Sequence, residues 1–213
     1  MRELEARWCE AVAELGGTHD PDDPDGAQGP GDLATRYAEP HRGYHNTDHA
    51  LAVARDADLL ARADGRTPRE RAVLALAALA HDVVYDGRHG DDERRSAEWA
   101  RDRLAGLPEA DQVADLVLAT ADHASDDPLT CLLLDADLAV LAADPDVYER
   151  YRAAVRAEYA HVPDDAWRVG RANVLRALAR RDPLYVTPHA HERWEARAKA
   201  NLAAELSSLG DPP

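Results

Sequence analysis

Apolar positions recur along this chain at spacings of three and four residues, the signature of one helix face, from one end to the other. Leu4, Trp8, Val12 and Leu15 form the first such stripe, which stops at Gly16-Gly17. Residues 16–31 are rich in Gly, Pro and Asp and read as a flexible loop. A short helix is expected over 32–38. Asn46 or Thr47 can cap the next helix, about 47–63, whose stripe includes His49, Val53, Ala57 and Leu60. Thr67-Pro68-Arg69-Glu70 is a capping box with Pro at the first helical position. It opens a helix that is apolar without interruption from Ala72 to Ala80, the pattern of a central helix covered on every side. Further helices are predicted over 91–105, 109–124, 128–142, 145–160, 164–181 and 188–208. No strand alternation competes with them, no repeat period stands out and no linker divides the chain. The prediction is an all-α fold, a single helical domain over 1–213.

Composition narrows what that domain can do. Apolar residues make up 45% of 213 positions, ample for one core, but aromatics are only 5% and Phe is absent, so Leu, Ala and Val must fill it. A formal charge of −16 argues against a nucleic-acid backbone or an anionic membrane as partner, since like charges repel. A small phosphorylated substrate stays compatible, because its binding depends on the field inside one pocket. Cys9 and Cys131 are too few and too far apart for a disulfide framework or a thiolate site, which fits a reducing cytoplasmic setting. The N-terminus is charged at Arg2, Glu3, Glu5 and Arg7, unlike a signal peptide, and no stretch approaches the roughly 20 apolar residues of a membrane span. The aspartates of 16–31 invite a calcium loop, but Pro24 stands where a third oxygen ligand is needed and the required Gly is misplaced.

Candidate chemistry lies where charge interrupts the apolar helices. His81-Asp82 ends the run 72–80, His49 sits in the stripe of 47–63, and Asp135-Ala136-Asp137 falls inside the apolar segment 128–142. A buried unpaired charge is very costly, so these groups need a partner. Two imidazoles with carboxylates make a nitrogen/oxygen set for a divalent cation. The structural alternative is that Asp82 caps the next turn while His81 bonds to backbone. His81 and Asp82 lie about 100° apart on a helix and meet only a partner at the seam between them. Asp135 and Asp137 lie about 200° apart and cannot both face one point, and periodicity does not choose between them. His123, seven residues after Leu116, is expected to point inward from a helix.

The order His49, His81-Asp82, Asp137 resembles the HD-domain superfamily of metal-dependent phosphohydrolases. Arg42-x-Tyr44-His45-Asn46-x-x-His49, His81-Asp82-x-x-Tyr85-Asp86 and Asp91-Asp92-Glu93-x-x-Ser96-Ala97 resemble one bacterial subfamily of uncharacterised predicted HD phosphohydrolases. So do Ala119-Thr120-x-x-His123, Asp135-x-Asp137-Leu138, Val155-Arg156-x-Glu158-Tyr159 and Ala198-x-x-Asn201-Leu202. The resemblance implies an HD fold and one divalent ion, Mn, Fe, Co, Ni, Zn or Mg, held by His49, His81, Asp82 and Asp137. The second acid of the Asp-x-Asp pair is the one that completes such a site. Some superfamily members carry a Glu four residues after the dyad His, whereas Tyr85 stands there in this chain and the carboxylate follows at Asp86. Asp82, Asp86 and Glu93 are the expected catalytic carboxylates, and Arg42, His45, His123 and Arg156 the expected substrate contacts. The expected activity is hydrolysis of a small phosphorylated compound, a nucleotide by preference, as a phosphomonoesterase or pyrophosphohydrolase. The alternatives are a non-catalytic metal or nucleotide sensor and a di-iron oxygenase. The latter needs further helical histidines, and here His89 falls in a loop.

Overall fold

The computed structural model describes residues 2–20, 22–23 and 25–210; expectations that fall on Met1, Pro21, Pro24 and 211–213 lie outside them. Among the described residues there are ten α-helices and one 3-10 turn, and no strand, which is the all-α fold expected. The helices are α1 (Arg2–Glu14), α2 (Leu33–Tyr37), α3 (Thr47–Ala63), α4 (Pro68–Ala80), α5 (Asp91–Arg103), α6 (Ala110–Ala119) and α7 (Pro128–Asp137). After the 3-10 turn Leu138–Ala142 come α8 (Pro145–Glu158), α9 (Asp164–Ala179) and α10 (Pro188–Ser208). By internal contacts the chain divides into two compact units, Met1–Asp137 and Leu138–Pro213.

The first unit is organised around α4. Its capping box forms as the sequence predicts, with Thr67 accepting from the Glu70 amide and Glu70 accepting from the Thr67 amide. Eight of its residues, Ala72, Val73, Leu74 and Leu76–Ala80, are buried, and α1, α3, α5, α6 and α7 pack around it. Leu74, Leu76 and Leu79 are fully enclosed, each stabilising by roughly 1.5–3 kcal/mol through removal of apolar surface from water. Trp8, Leu60, Leu132 and Leu133 from the surrounding helices complete a core built without Phe. Its C-terminal end delivers His81 and Asp82 to the edge of that core.

Residues 16–31 carry no regular element among the described positions, and Gln28 ties this segment to its surroundings. The Gln28 carbonyl accepts from the Trp8 indole at 3.0 Å, while its side chain accepts from the Thr18 amide and donates to the Ala105 carbonyl.

In the second unit α10 packs on α9 and on the 3-10 turn, which α8 also contacts. The sequence predicts a helix over 128–142, but regular α-helix ends at Asp137. The residues that follow tighten into the 3-10 turn, and side chains answer some of its carbonyls. Tyr185 donates to the Leu138 carbonyl at 2.8 Å, and the Asn201 amide donates to those of Leu141 and Ala143. A buried ion pair lies at the centre of this unit. Arg171 donates through Nε and Nη2 to both oxygens of Glu205, and Tyr148 donates to Glu205 as well.

Candidate metal centre

Three helix ends bring the ligand-type side chains together. His49 sits in the first turn of α3, whose N-cap Asn46 accepts hydrogen bonds from the amides of Asp48 and His49 itself. His81 is the C-cap of α4 and Asp82 follows it, while Asp137 is the last residue of α7. His49 Nε2 lies 3.1 Å from His81 Nε2, 3.2 Å from Asp137 Oδ1 and 3.4 Å from Asp82 Oδ2. His81 Nε2 lies 3.1 Å from Asp82 Oδ2 and 3.5 Å from Asp137 Oδ1. His49, His81 and Asp137 form a group whose ligand atoms all fall within 4.8 Å of one another, a set that could hold a metal ion. Asp82 borders that group through both imidazoles. Of the Asp135/Asp137 pair left open by periodicity, Asp137 is the one in the cluster; Asp135 is buried elsewhere on α7.

The chemistry of the donor set fits a cation. His81 Nδ1 lies 2.8 Å from the Ala78 carbonyl, which can only accept, so Nδ1 carries a proton there and Nε2 is left to face the cluster as a ligand. The structural alternative for His81, a bond to backbone, is therefore present and is what aims the other nitrogen. Asp82 and Asp137 sit at the C-terminal ends of α4 and α7, the negative ends of helix dipoles, where an anion is disfavoured and a cation welcome.

The four groups also shift one another's ionisation. Burial opposes charge on His81, yet Asp82 and Asp137 together overcome it and hold the imidazole well above its ordinary range. His49 is raised in the same way, against burial, by its contacts with Asp137 and Asp82. Burial would raise the two carboxyls, but His81 and its neighbours hold both well below the ordinary carboxylate range.

The other expected site residues separate into two sets. His123 and His45 adjoin the cluster. His123 Nε2 pairs with Asp137 Oδ2 at 2.8 Å, so Asp137 turns one oxygen to the imidazoles of His49 and His81 and the other to His123. The inward aim of His123 does not come from a helix over 109–124, since α6 ends at Ala119 and His123 occupies a turn with φ 47. The left-handed backbone redirects the side chain. The His45 ring stacks on Tyr85 at 4.1 Å between centroids and meets His49 edge-on at 5.4 Å.

Arg42, Arg156, Asp86 and Glu93 are engaged elsewhere. Arg42, expected at a phosphate, has a fully buried side chain whose guanidinium donates to the carbonyls of His45, Asp82 and Val83 and to Glu39. Arg156 belongs to the second unit, where it donates to the carbonyls of Tyr159 and Val162 and pairs with Asp164. Asp86 is exposed and accepts from Arg95 at 2.6 Å. Glu93 accepts from the Gly90 amide and closes the first turn of α5, with the exposed His89 ring 3.8 Å away. Four positions outside the expected set hold this region in place. The Tyr37 hydroxyl accepts from the Asp82 amide, Ser96 from the Val84 amide, and Asp92 from the amides of Asp86 and Arg88. Tyr85 supplies the platform for His45. Asp92 and Glu93 were within reach of sequence reasoning, since an acid in a helix first turn is a capping signal.

Residues 46–151 match the family model for the HD domain, and this match supports the HD-domain superfamily for the chain. HD domains are typically metal-dependent hydrolases and bind divalent ions, in line with the His49, His81, Asp137 group inside the matched segment. No curated protein and no solved structure matches the chain. No helix among the described residues is long and apolar enough to cross a membrane.

Proposed function

We propose that this protein is a metal-dependent phosphohydrolase acting on a small phosphorylated compound, a nucleotide by preference, as a phosphomonoesterase or pyrophosphohydrolase of the cytoplasm. The observation that carries the reading is the convergence of His49, His81, Asp82 and Asp137 from three helix ends inside an HD domain. We assign those four side chains to one divalent ion. Such an ion, when bound, lowers the pKa of water and offsets charge that builds on phosphorus.

The residues of the chain supply the rest. Asp82 and Asp137, both held well below the ordinary carboxylate range, act as acceptors more readily than as proton stores. Asp137 fixes the His123 ring through its Oδ2–Nε2 contact, and we assign the His123 imidazole, so held, to the substrate side of the cluster. The His45 ring, stacked on Tyr85 beside His49, adjoins the cluster and is our second substrate contact. Arg42 and Arg156 are left out of this assignment because their guanidinium groups are committed to carbonyls and carboxylates.

The test is metal content and phosphate release measured together on purified protein supplied with Mn, Zn, Co, Ni, Fe(II) or Mg, across a panel of nucleotides and other phosphate esters. Asp82→Ala and Asp137→Ala are run alongside. Metal-dependent release that both variants lose is the expected result. Stoichiometric metal without release from any compound would turn the reading to a sensor domain. No ion retained under any condition would sink it.

A further inference from the structure

We infer that Arg42 is the positioning residue that sets the ligand geometry of the proposed metal centre, by stapling the segment that leads into α3 to the turn that ends α4. This rests on the functional reading above. Arg42 touches none of the four ligand side chains. It acts through backbone: Nη1 donates to the carbonyl of Asp82 at 2.6 Å and to that of His45 at 3.0 Å, and Nη2 to that of Val83 at 3.1 Å. Asp82 is itself a ligand candidate, and His45 lies one residue before Asn46, whose side chain caps the turn carrying His49. One rigid fork therefore fixes both ends of the span from His49 to Asp82.

Three features make this more than ordinary packing. The carbonyls of residues 82 and 83 lie just past the C-terminus of α4, where helical amides run out and backbone oxygens need other donors. A guanidinium there meets both the orphan oxygens and the negative end of the dipole. The side chain is fully buried, a costly place for a charge whose only carboxylate partner among the described residues is Glu39 at 3.0 Å. Its ring contacts also belong to this region: the guanidinium lies over Tyr37 at 5.2 Å and over Tyr85 at 5.7 Å. Tyr37 accepts from the Asp82 amide, and Tyr85 carries His45. Of the groups Arg42 contacts, the Asp82 carbonyl belongs to a ligand residue and Tyr37 accepts from that residue's amide. A lysine keeps the charge but, as a single point, cannot span three carbonyls.

The test is equilibrium binding of Mn2+ and of Zn2+, each alone, to the wild type, Arg42→Lys and Arg42→Met, with amide hydrogen exchange on the metal-free proteins. Substitutions behind metal ligands typically cost about 10–100-fold in affinity. We expect Arg42→Lys to weaken binding by about tenfold and Arg42→Met by about 100-fold, with faster exchange confined to residues 43–49 and 82–85. If folded Arg42→Lys binds both ions like the wild type, the proposal is overturned and the functional reading stands. If the wild type binds neither ion, both fall. Should neither Arg42 variant fold, Glu39→Gln carries the test, because Glu39 is part-exposed and contacts only the Nε side of the fork. Severalfold weaker binding supports the staple, and unchanged affinity overturns it.

Discussion

Two buried polar clusters can be set side by side. In the second unit, Glu205 meets Arg171, Tyr148 and, at 3.6 Å, Arg152. In the first, Asp82 and Asp137 meet His49 and His81. Both draw carboxylates largely away from water, Glu205 more fully than Asp82 and Asp137, and both surround them with cationic or hydrogen-bonding groups. They differ in the permanence of the counter-charge. Arg171 cannot give up its proton, because burial, which would favour the neutral form, is outweighed by Tyr151 and Glu205, which push it further up. An imidazole, by contrast, can give up its proton near neutral pH, and a divalent cation binds where protons are displaced. A buried ion pair with a fixed partner specifies structure. One with an exchangeable partner leaves room for a ligand.

The sharpest way to break that comparison is to remove one partner from each cluster in the metal-free protein. Arg171→Met strands a buried carboxylate and should cost about 3–5 kcal/mol in urea unfolding. Asp137→Asn removes one of the two carboxylates beside imidazoles whose protons can leave, and an anion from a helix C-terminus, so its cost should stay below about 1 kcal/mol. Equal losses would sink the distinction between fixed and exchangeable charge.

Acid titration sharpens the other side. Burial alone would raise the Glu205 carboxyl, but the hydrogen bonds and charge of Arg171, with Tyr148, hold it below its ordinary value. Its contribution is therefore complete above the unfolded value, about 4.3, and is lost as pH falls through the lower folded value. Stability measured against pH should fall more steeply below that point in the wild type than in Glu205→Gln. Parallel curves would mean that the carboxylate is not held there. The smallest effect is local to the first unit. Asn46→Ala removes the cap of α3 and should cost about 1 kcal/mol, with weaker binding of Mn2+ because His49 lies in that turn. A variant that loses stability but binds the ion as before would separate the cap from the site.

Much of this was readable in the sequence because it depends on neighbours along the chain. The capping box at Thr67, the uninterrupted run of α4 and the bounds of α3 and α10 follow from local spacing, and the structure has them at those positions. The elements carrying His49 and His81 were legible for the same reason. What local spacing cannot give is the donor that reaches a carbonyl about 40 residues away. Arg42 looks like a surface or phosphate-binding arginine until α4 is seen to end beside it. The end of α7 was hidden because Leu138 and Leu141 continue its apolar rhythm, while Tyr185 and Asn201, which occupy the carbonyls, lie 47 and 60 residues on. His123 was placed near the site for a reason the structure replaces, a left-handed turn instead of a seventh-residue repeat.

The cap of α3 has a kinetic side as well. His49 rides on the first turn of its helix, and terminal turns are the parts of a helix that fray. An opening of the Asn46 cap would swing an imidazole away from the cluster, and its closing would return it. The strength of two hydrogen bonds from Asp48 and His49 to one amide side chain would then translate into a residence time for an ion held there.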